Sequence, residues 1–170
     1  ITEIGGTVGD IESQPFLESC RQIQAEVGRE NCLFIHVTLL PFISGSDELK
    51  SKPTQHSVKE LRALGIQPDV LVCRTEMDIP DEIKAKLSLF CNVAPDCVIQ
   101  NSTAETLYEV PLLLEKEGLG HVVCRHFGFS DTPELANWEA MIHTIKSIDR
   151  KVKIAIVGKY VELHDAYLSV

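Results

Sequence analysis

Short, unbroken apolar runs alternate along this chain with stretches of helical periodicity, and that alternation leaves few folds open. Cys32–Leu40, Asp69–Cys73, Cys97–Ile99 and His121–Cys124 place apolar side chains at successive positions rather than at every second one. A strand with one wet face alternates; a strand covered on both faces need not, which is the mark of a parallel sheet. These four runs are therefore read as buried strands.

The helical stretches between them have clear punctuation. Ser13 is placed to cap a helix with Pro15 in its first turn, Phe16, Leu17, Cys20, Ile23 and Val27 on one face, and Gly28 as its stop. Thr54 is placed to cap a second, with Val58, Leu61 and Leu64 inward and Gly65 at its end. A third is predicted over Asp81 to Cys91, with Ile83, Leu87 and Phe90 on one side, and a fourth from Pro111 to Gly118. The last is expected to be capped by Asp131 or Thr132 ahead of Pro133, with Leu135, Trp138, Ile142, Ile145 and Ile148 as its stripe. Strands alternating with helices give an α/β fold, a parallel sheet flanked by helices.

Both ends read as cut. Ile1–Ile4 looks like the last residues of a strand running into a glycine turn, and Lys153–Val157 with Gly158 like a new buried strand. Each needs sheet neighbours, so a chain truncated at both ends is expected. Gly128 to Arg150 reads as an interdomain linker helix, the plainer alternative being another layer helix of the same sheet.

Composition narrows the chemistry. The chain of 170 residues has 16 Lys and Arg against 25 Asp and Glu, a net charge of −9, which argues against a general nucleic-acid binder. No apolar run is long enough for a membrane helix. The six cysteines form no C-x-x-C pair and mostly lie in apolar runs, so they read as reduced, buried thiols of a cytosolic protein. His36 lies inside an apolar run and reads as a core residue; the other histidines show no metal spacing, and no Ser/His/Asp set assembles.

Three stretches exceed what packing asks for. In Glu3–Ser13, three glycines in five residues allow close backbone approach, and three carboxylates flank the turn. These suit a Mg²⁺ ion and hydrogen bonds from a base or sugar, or else simple helix capping by Asp10 and Glu12. Lys50–Ser57 puts two lysines and hydroxyls at a helix entry, fit for a triphosphate or merely solvated. Arg74 and Gln100–Ala104 end two strands, where open parallel sheets bind ligands; the alternative for Arg74 is a surface ion pair with Glu76 or Asp78.

The segment Glu3–Ser13, with Pro15 and Phe16, and the segment Lys50–Val58 together resemble the amidoligase (synthetase) domain of CTP synthases. The resemblance continues through Pro68–Arg74, Phe90–Val93 and Tyr108–Leu113, and Val157–Val170 resembles the opening of that family's glutamine amidotransferase domain. It implies a P-loop, dethiobiotin-synthetase-like (Rossmann-like) fold. Residues 1–129 would form the C-terminal part of the synthetase domain, 130–150 the linker helix and 151–170 the start of the amidotransferase domain.

The family makes CTP from UTP. ATP with Mg²⁺ phosphorylates the uracil 4-oxygen, and glutamine-derived ammonia displaces the phosphate. Matching positions imply that Glu3 binds Mg²⁺ and that Asp10, Ile11 and Glu12 contact the pyrimidine nucleotide. Lys50, Ser51, Lys52, Pro53, Thr54 and Gln55 would grip UTP or CTP phosphates, with Lys86 as a further basic contact. Glu18 and Arg21 match positions tied to feedback binding of CTP, and Arg74, Ser102, Thr103 and Ala104 the ATP adenine region. The acidic glycine corner and the dilysine entry would meet on one triphosphate.

Departures are visible too. Many members have Lys or Asp where Ser102–Ala104 stand, which leaves backbone contacts there. The family's phosphate-binding loop, with its catalytic lysine, and a second Mg²⁺-binding aspartate would precede Ile1; the glutaminase nucleophile would follow Val170. No catalytic residue is assigned within the chain. Implied partners are UTP, CTP, ATP, the remaining parts of the same polypeptide and further copies in a homotetramer, in the cytoplasm, without nucleic acid or membrane. The competing readings are a non-catalytic CTP-binding regulatory or assembly module, and a generic dethiobiotin-synthetase-like protein.

Overall fold

In chain order the elements are α1 (Gln14–Val27), β1 (Ile35–Leu39), β2 (Phe42–Ile43), β3 (Glu48–Leu49), α2 (Lys52–Ala63), β4 (Val70–Thr75) and α3 (Asp81–Cys91). They continue with β5 (Val98–Ser102), α4 (Val110–Lys116), α5 (Leu119–Phe127) and α6 (Ala136–Ser147). The computed structural model describes residues 1–45 and 48–170. These divide into two units, Ile1–Ala136 and Asn137–Val170.

The first unit is built on a parallel sheet of order β1-β4-β5. β4 is central and buried on both faces through Val70, Leu71, Val72 and Cys73, as its unbroken apolar sequence demands. Around it Leu40, Val58, Leu87, Cys91, Val98 and Ile99 complete the core. The register pairs Leu39 with Arg74 and Arg74 with Asn101, so these three residues share one face at the carboxyl edge of the sheet. Thr38, Cys73 and Gln100 form the corresponding row on the other face.

Several expectations need correction. His121–Cys124 is not a strand but lies within α5, between Gly118 (φ 86°) and Gly128 (φ 68°). Leu119 packs against the core and Val122 belongs to it, a helical i, i+3 pair that overrides the β-branched preference of Val122 and Val123. Ile1–Ile4 and Lys153–Val157 form no strand, and Ile1, Ile154 and Val157 are exposed. A strand exists through its ladder, and these runs make none among the described residues. β1 is an edge strand rather than a fully buried one: Ile35, Val37 and Leu39 keep 43%, 58% and 60% of their surface.

Helix faces shift in the same way. In α1 no residue is buried, and Phe16 and Ile23 stand exposed. Ser13 occupies the N-cap position but caps nothing; its Oγ donates to Asp10 O at 2.9 Å. In α3 the inward line is Ile83, Leu87 and Cys91, an i, i+4 series that leaves Phe90 outside. α6 starts later than predicted, because Glu134 Oε1 accepts from the Ala136 N–H at 2.9 Å and leaves Pro133 and Leu135 in the preceding segment.

All six cysteines are free, with Cys73, Cys91 and Cys97 buried and Cys20, Cys32 and Cys124 half-buried. Burial pushes the Cys91 thiol up to about 11, far from the thiolate a nucleophile needs. His36 is hydrogen-bonded as read but half-buried on the edge strand rather than in the core: its Nε2 lies 2.8 Å from Ser57 Oγ, and partial burial lowers its pKa, favouring the neutral ring. No helix among the described residues is long and apolar enough to cross a membrane. In the second unit, residues after α6 end in a 3-10 turn at His164–Tyr167, where Tyr167 donates its hydroxyl to Lys159 O.

Candidate functional site

The carboxyl edge of the sheet is where chain reversals gather. Leu40 N–H donates to Arg74 O at 2.8 Å, carrying the β1–β4 ladder one step further, and Thr103 N–H donates to Thr75 O at 3.1 Å, which does the same for β4 and β5. The β2–β3 hairpin, which the sequence reading did not foresee, then folds the chain back so that Lys50 N–H meets Pro41 O at 2.9 Å. Lys50 is thereby set beside the end of β1.

From there α2 begins, with Ser51 at the N-cap position and Lys52, Pro53 and Thr54 as its first three residues. Thr54 is not the cap that was expected. It is fully buried, and its Oγ1 donates to Leu39 O at 3.0 Å and lies 3.1 Å from Thr38 Oγ1. Ser51 is also buried, and its Oγ accepts from Gln55 Nε2 at 3.0 Å. The anion-facing groups left at this entry are the backbone N–H groups of the first turn and two ammonium groups. Lys50 is half-buried and ion-paired to Glu48. Lys52 is exposed, and its ammonium has no partner among the described residues.

A cavity of about 560 Å³ opens at the same edge. It is lined by Leu39–Phe42 at the end of β1 and just beyond it, Arg74–Glu76 at the end of β4, Asn101–Ala104 at the end of β5, Leu107 ahead of α4 and Val110 at its first residue. Arg74, Ser102, Thr103 and Ala104, selected from sequence, all fall in this one cavity. Its volume is that of a site for a small organic ligand, and its lining joins apolar residues such as Leu39, Phe42 and Leu107 to polar ones such as Arg74, Asn101 and Thr103. The surface ion pair considered for Arg74 does not form: Arg74 is exposed with no partner among the described residues, and Asp78 Oδ1 instead accepts from Gln100 Nε2 at 2.8 Å. Beside Arg74, Asn101 Oδ1 is buried without a hydrogen-bond partner, an acceptor of the kind that calls for a donor. Asn101 lay in the Gln100–Ala104 stretch singled out from the sequence, whereas Leu39, Phe42 and Leu107 were missed. Position at or just beyond the end of β1 could have flagged Leu39 and Phe42; nothing local marks Leu107.

The acidic corner has its own geometry. Gly6 and Gly9 take φ 85° and 106°, and Asp10 closes the turn by accepting the Thr7 N–H at 2.8 Å and donating its own N–H to Thr7 O at 3.0 Å. A side chain at Gly6 would put its Cβ 2.7 Å from Asp10 Oδ2, so glycine is required there. Ile11 and Glu12 are exposed in the 3-10 turn that leads into α1. Glu3 is exposed, and its carboxylate has no ion pair among the described residues. Magnesium takes one or two carboxylates, keeps water and completes its shell with substrate phosphates. A single free glutamate at a glycine turn fits that demand, and no group of three or more acidic, His or Cys side chains gathers among the described residues.

On α1, Arg21 clasps Glu18 through Nε to Oε2 at 2.8 Å and Nη2 to Oε1 at 2.7 Å, while Gln22 Nε2 donates to Glu18 Oε1 at 2.7 Å. The guanidinium holds the Glu18 carboxyl down at about 2, against an ordinary value of 4.5. The pair should therefore be intact above pH 4.5 and lost only as pH falls through about 2. Carbon-detected titration of Glu18 is expected to show that low midpoint and its return to the ordinary carboxylate range in Arg21→Ala; an ordinary midpoint in the unaltered protein would exclude the clasp.

The structure does not bring every selected residue together. The turn after α2 lies against Arg21, since a Cβ at Gly65 would sit 2.8 Å from Arg21 Cδ. Arg21 is thus at the far end of α2 from Lys52, about 18 Å away for a helix of this length. Lys86 is exposed in the middle of α3. Among the described residues, no hydrogen bond or ion pair joins residues 3–12 to 50–55.

Comparison with known proteins adds the following. Residues 1–129 match the family described as CTP synthase N-terminus. The whole chain aligns with proteins named CTP synthase: that of Ruminiclostridium cellulolyticum is 64% identical and that of Clostridium beijerinckii 62%, each with 32% of its own length covered. The protein of Thermomicrobium roseum is 60% identical, with 31% covered. The chain spans about a third of the length of the curated relatives it matches.

Proposed function

This chain belongs to the CTP synthase family, and on that premise we propose that it carries the pyrimidine-nucleotide site and part of the ATP site of an enzyme that aminates UTP to CTP. In the reaction the γ-phosphoryl group of ATP passes to the 4-oxygen of UTP. Ammonia released from glutamine then attacks C4, and inorganic phosphate leaves. The observation that carries this reading is the grouping of Arg74 with Ser102–Ala104 in one cavity, beside the Lys50–Thr54 entry held to the end of β1.

Each group has a task that follows from its surroundings. The cavity takes the adenine end of ATP: Leu39, Phe42 and Leu107 offer apolar surface, Arg74 a planar cation to stack on a purine, and Thr103 and Ala104 backbone groups for its edge. The first turn of α2 presents N–H groups, and Lys52 a point charge, to the phosphates of UTP or CTP. Ser51 and Thr54 serve by holding that turn, and their side chains stay with their protein partners. Asp10, Ile11 and Glu12 face the pyrimidine nucleotide, and Glu3 would hold Mg²⁺. When bound, the ion supplies positive charge to the transferring phosphates.

Residues 1–129 belong to the family's N-terminal region, in our reading to the later portion of the synthetase domain. Residues 130–150 link it to 151–170, the opening of the glutaminase domain. Because α2 separates Arg21 from Lys52, the role of Glu18 and Arg21 in CTP feedback calls for a neighbouring copy, which accords with the homotetramer that the family resemblance implies; Lys86 is assigned as a further basic contact. Free thiols accord with a cytoplasmic enzyme. The complete protein, given UTP, ATP, Mg²⁺ and either glutamine or ammonium, is expected to release CTP, ADP and phosphate in equal amounts, read by anion-exchange chromatography. Nucleotide binding without any CTP would establish the non-catalytic module instead.

A further inference from the structure

The cavity is framed by two segments, residues 75–79 leaving the end of β4 and 102–104 leaving the end of β5, and one side chain outside the residues assigned above ties them together. Gln100, half-buried on β5, uses its whole carboxamide. Its Oε1 accepts from the Ile79 N–H at 2.6 Å, and its Nε2 donates to Asp78 Oδ1 and to Ser102 Oγ, both at 2.8 Å. Its backbone N–H donates to Glu117 Oε2 at 3.3 Å, the oxygen that also accepts from Lys84 Nζ at 2.8 Å. Gln100 lies in the row of Thr38 and Cys73, behind the row of Leu39, Arg74 and Asn101 that faces the cavity. On its side Asp78, Gln100, Ser102, Lys116 and Glu117 line a second, smaller cavity of about 120 Å³, and Ser102 borders both.

Packing alone does not ask for this arrangement, since a strand position under a helix is filled as well by an apolar residue. A carboxamide is a neutral group that offers two donors and an acceptor at one end, and here both ends are spent on loops that carry cavity residues. Thr75 adds a local clasp, with Oγ1 donating to Met77 O at 2.8 Å.

We infer that Gln100 is a positioning residue: it holds Asp78 and Ile79 against Ser102, keeps Arg74–Glu76 and Ser102–Ala104 at a fixed spacing across the cavity, and thereby sets affinity for the purine end of ATP. The inference rests on the reading of this cavity as the ATP pocket. Its physical content is preorganisation, because loops ordered before encounter need not be ordered by the ligand.

The test uses the complete protein and exchanges donor for acceptor. Gln100→Glu keeps an acceptor for the Ile79 N–H but sets a carboxylate against Asp78. Amide exchange across 77–79 and at Thr103 is expected to quicken about tenfold, and the ATP dissociation constant to rise about tenfold, as befits loss of a charge-assisted hydrogen bond. The UTP constant should stay within about twofold. Adding Asp78→Asn returns a donor to the pair, and the double variant Q100E/D78N is expected to recover ATP affinity to within about threefold of the starting protein. Loosened loops with unchanged ATP affinity would overturn the role, as would a double variant as weak as Gln100→Glu. Unchanged amide exchange would refute the bracing itself. An unaltered protein that binds UTP but not ATP would remove the ATP reading of the cavity and this role with it.

Discussion

Replacing Lys52 by Ala in the complete protein is expected to raise the UTP and CTP dissociation constants by about 10- to 100-fold, the scale of one hydrogen bond to a charged group. Two features single out this lysine over its neighbour. Lys50 is half-buried and already ion-paired to Glu48, so part of its charge is compensated inside the protein. Lys52 is exposed at the first residue of α2, unpartnered among the described residues, with the free N–H groups of the helix start beside it. Its removal takes away a charge without uncovering core, so the unfolding temperature should hold. ATP affinity, read at the Arg74 cavity, should move by less than about twofold. Calorimetry showing unchanged UTP affinity would strip the entry of its assigned ligand.

The second large effect is expected at Glu3. Replacing it by Ala should lower Mg²⁺-dependent turnover by about a thousandfold, since metal stabilisation of transferring phosphate amounts to several kcal/mol. The fold should be indifferent. Glu3 is exposed, and its carboxylate makes no ion pair or hydrogen bond among the described residues. Turnover measured against Mg²⁺ concentration, alongside a melting curve, separates the two. Retained activity with an ordinary metal dependence would count decisively against this glutamate.

Where sequence and structure agree, the cause is continuous burial. β4 is apolar from Val70 to Cys73 because both faces are covered there, and α2 is followed by Gly65 as read; α3 ends at the left-handed Asn92, which the sequence reading did not single out. Where they part, a local signal had two solutions. Val122 and Val123 suit a strand by propensity, yet Gly118 and Gly128 bracket a helix whose inward line is Leu119 and Val122. Thr54 sits where a cap could stand, but the hairpin delivers Ser51 there first and turns Thr54 onto β1. Part of the candidate site was legible by the rule that ligands collect at carboxyl ends of parallel strands, which selected Arg74 and Ser102–Ala104. Gln100 stood in the same strand-end stretch, but its bracing was not legible, because a glutamine at a strand end has the same appearance whether it meets water or braces two loops.

The burial of the Thr54 hydroxyl against Leu39 O has a kinetic meaning. With that bond intact, the first turn of α2 and the tip of β1 must travel together, so this wall of the site is a fixed jaw. The segments that follow β4 and β5 are tied to each other by Gln100, so any opening around a nucleotide moves them as one braced piece against this jaw while α2 stays still.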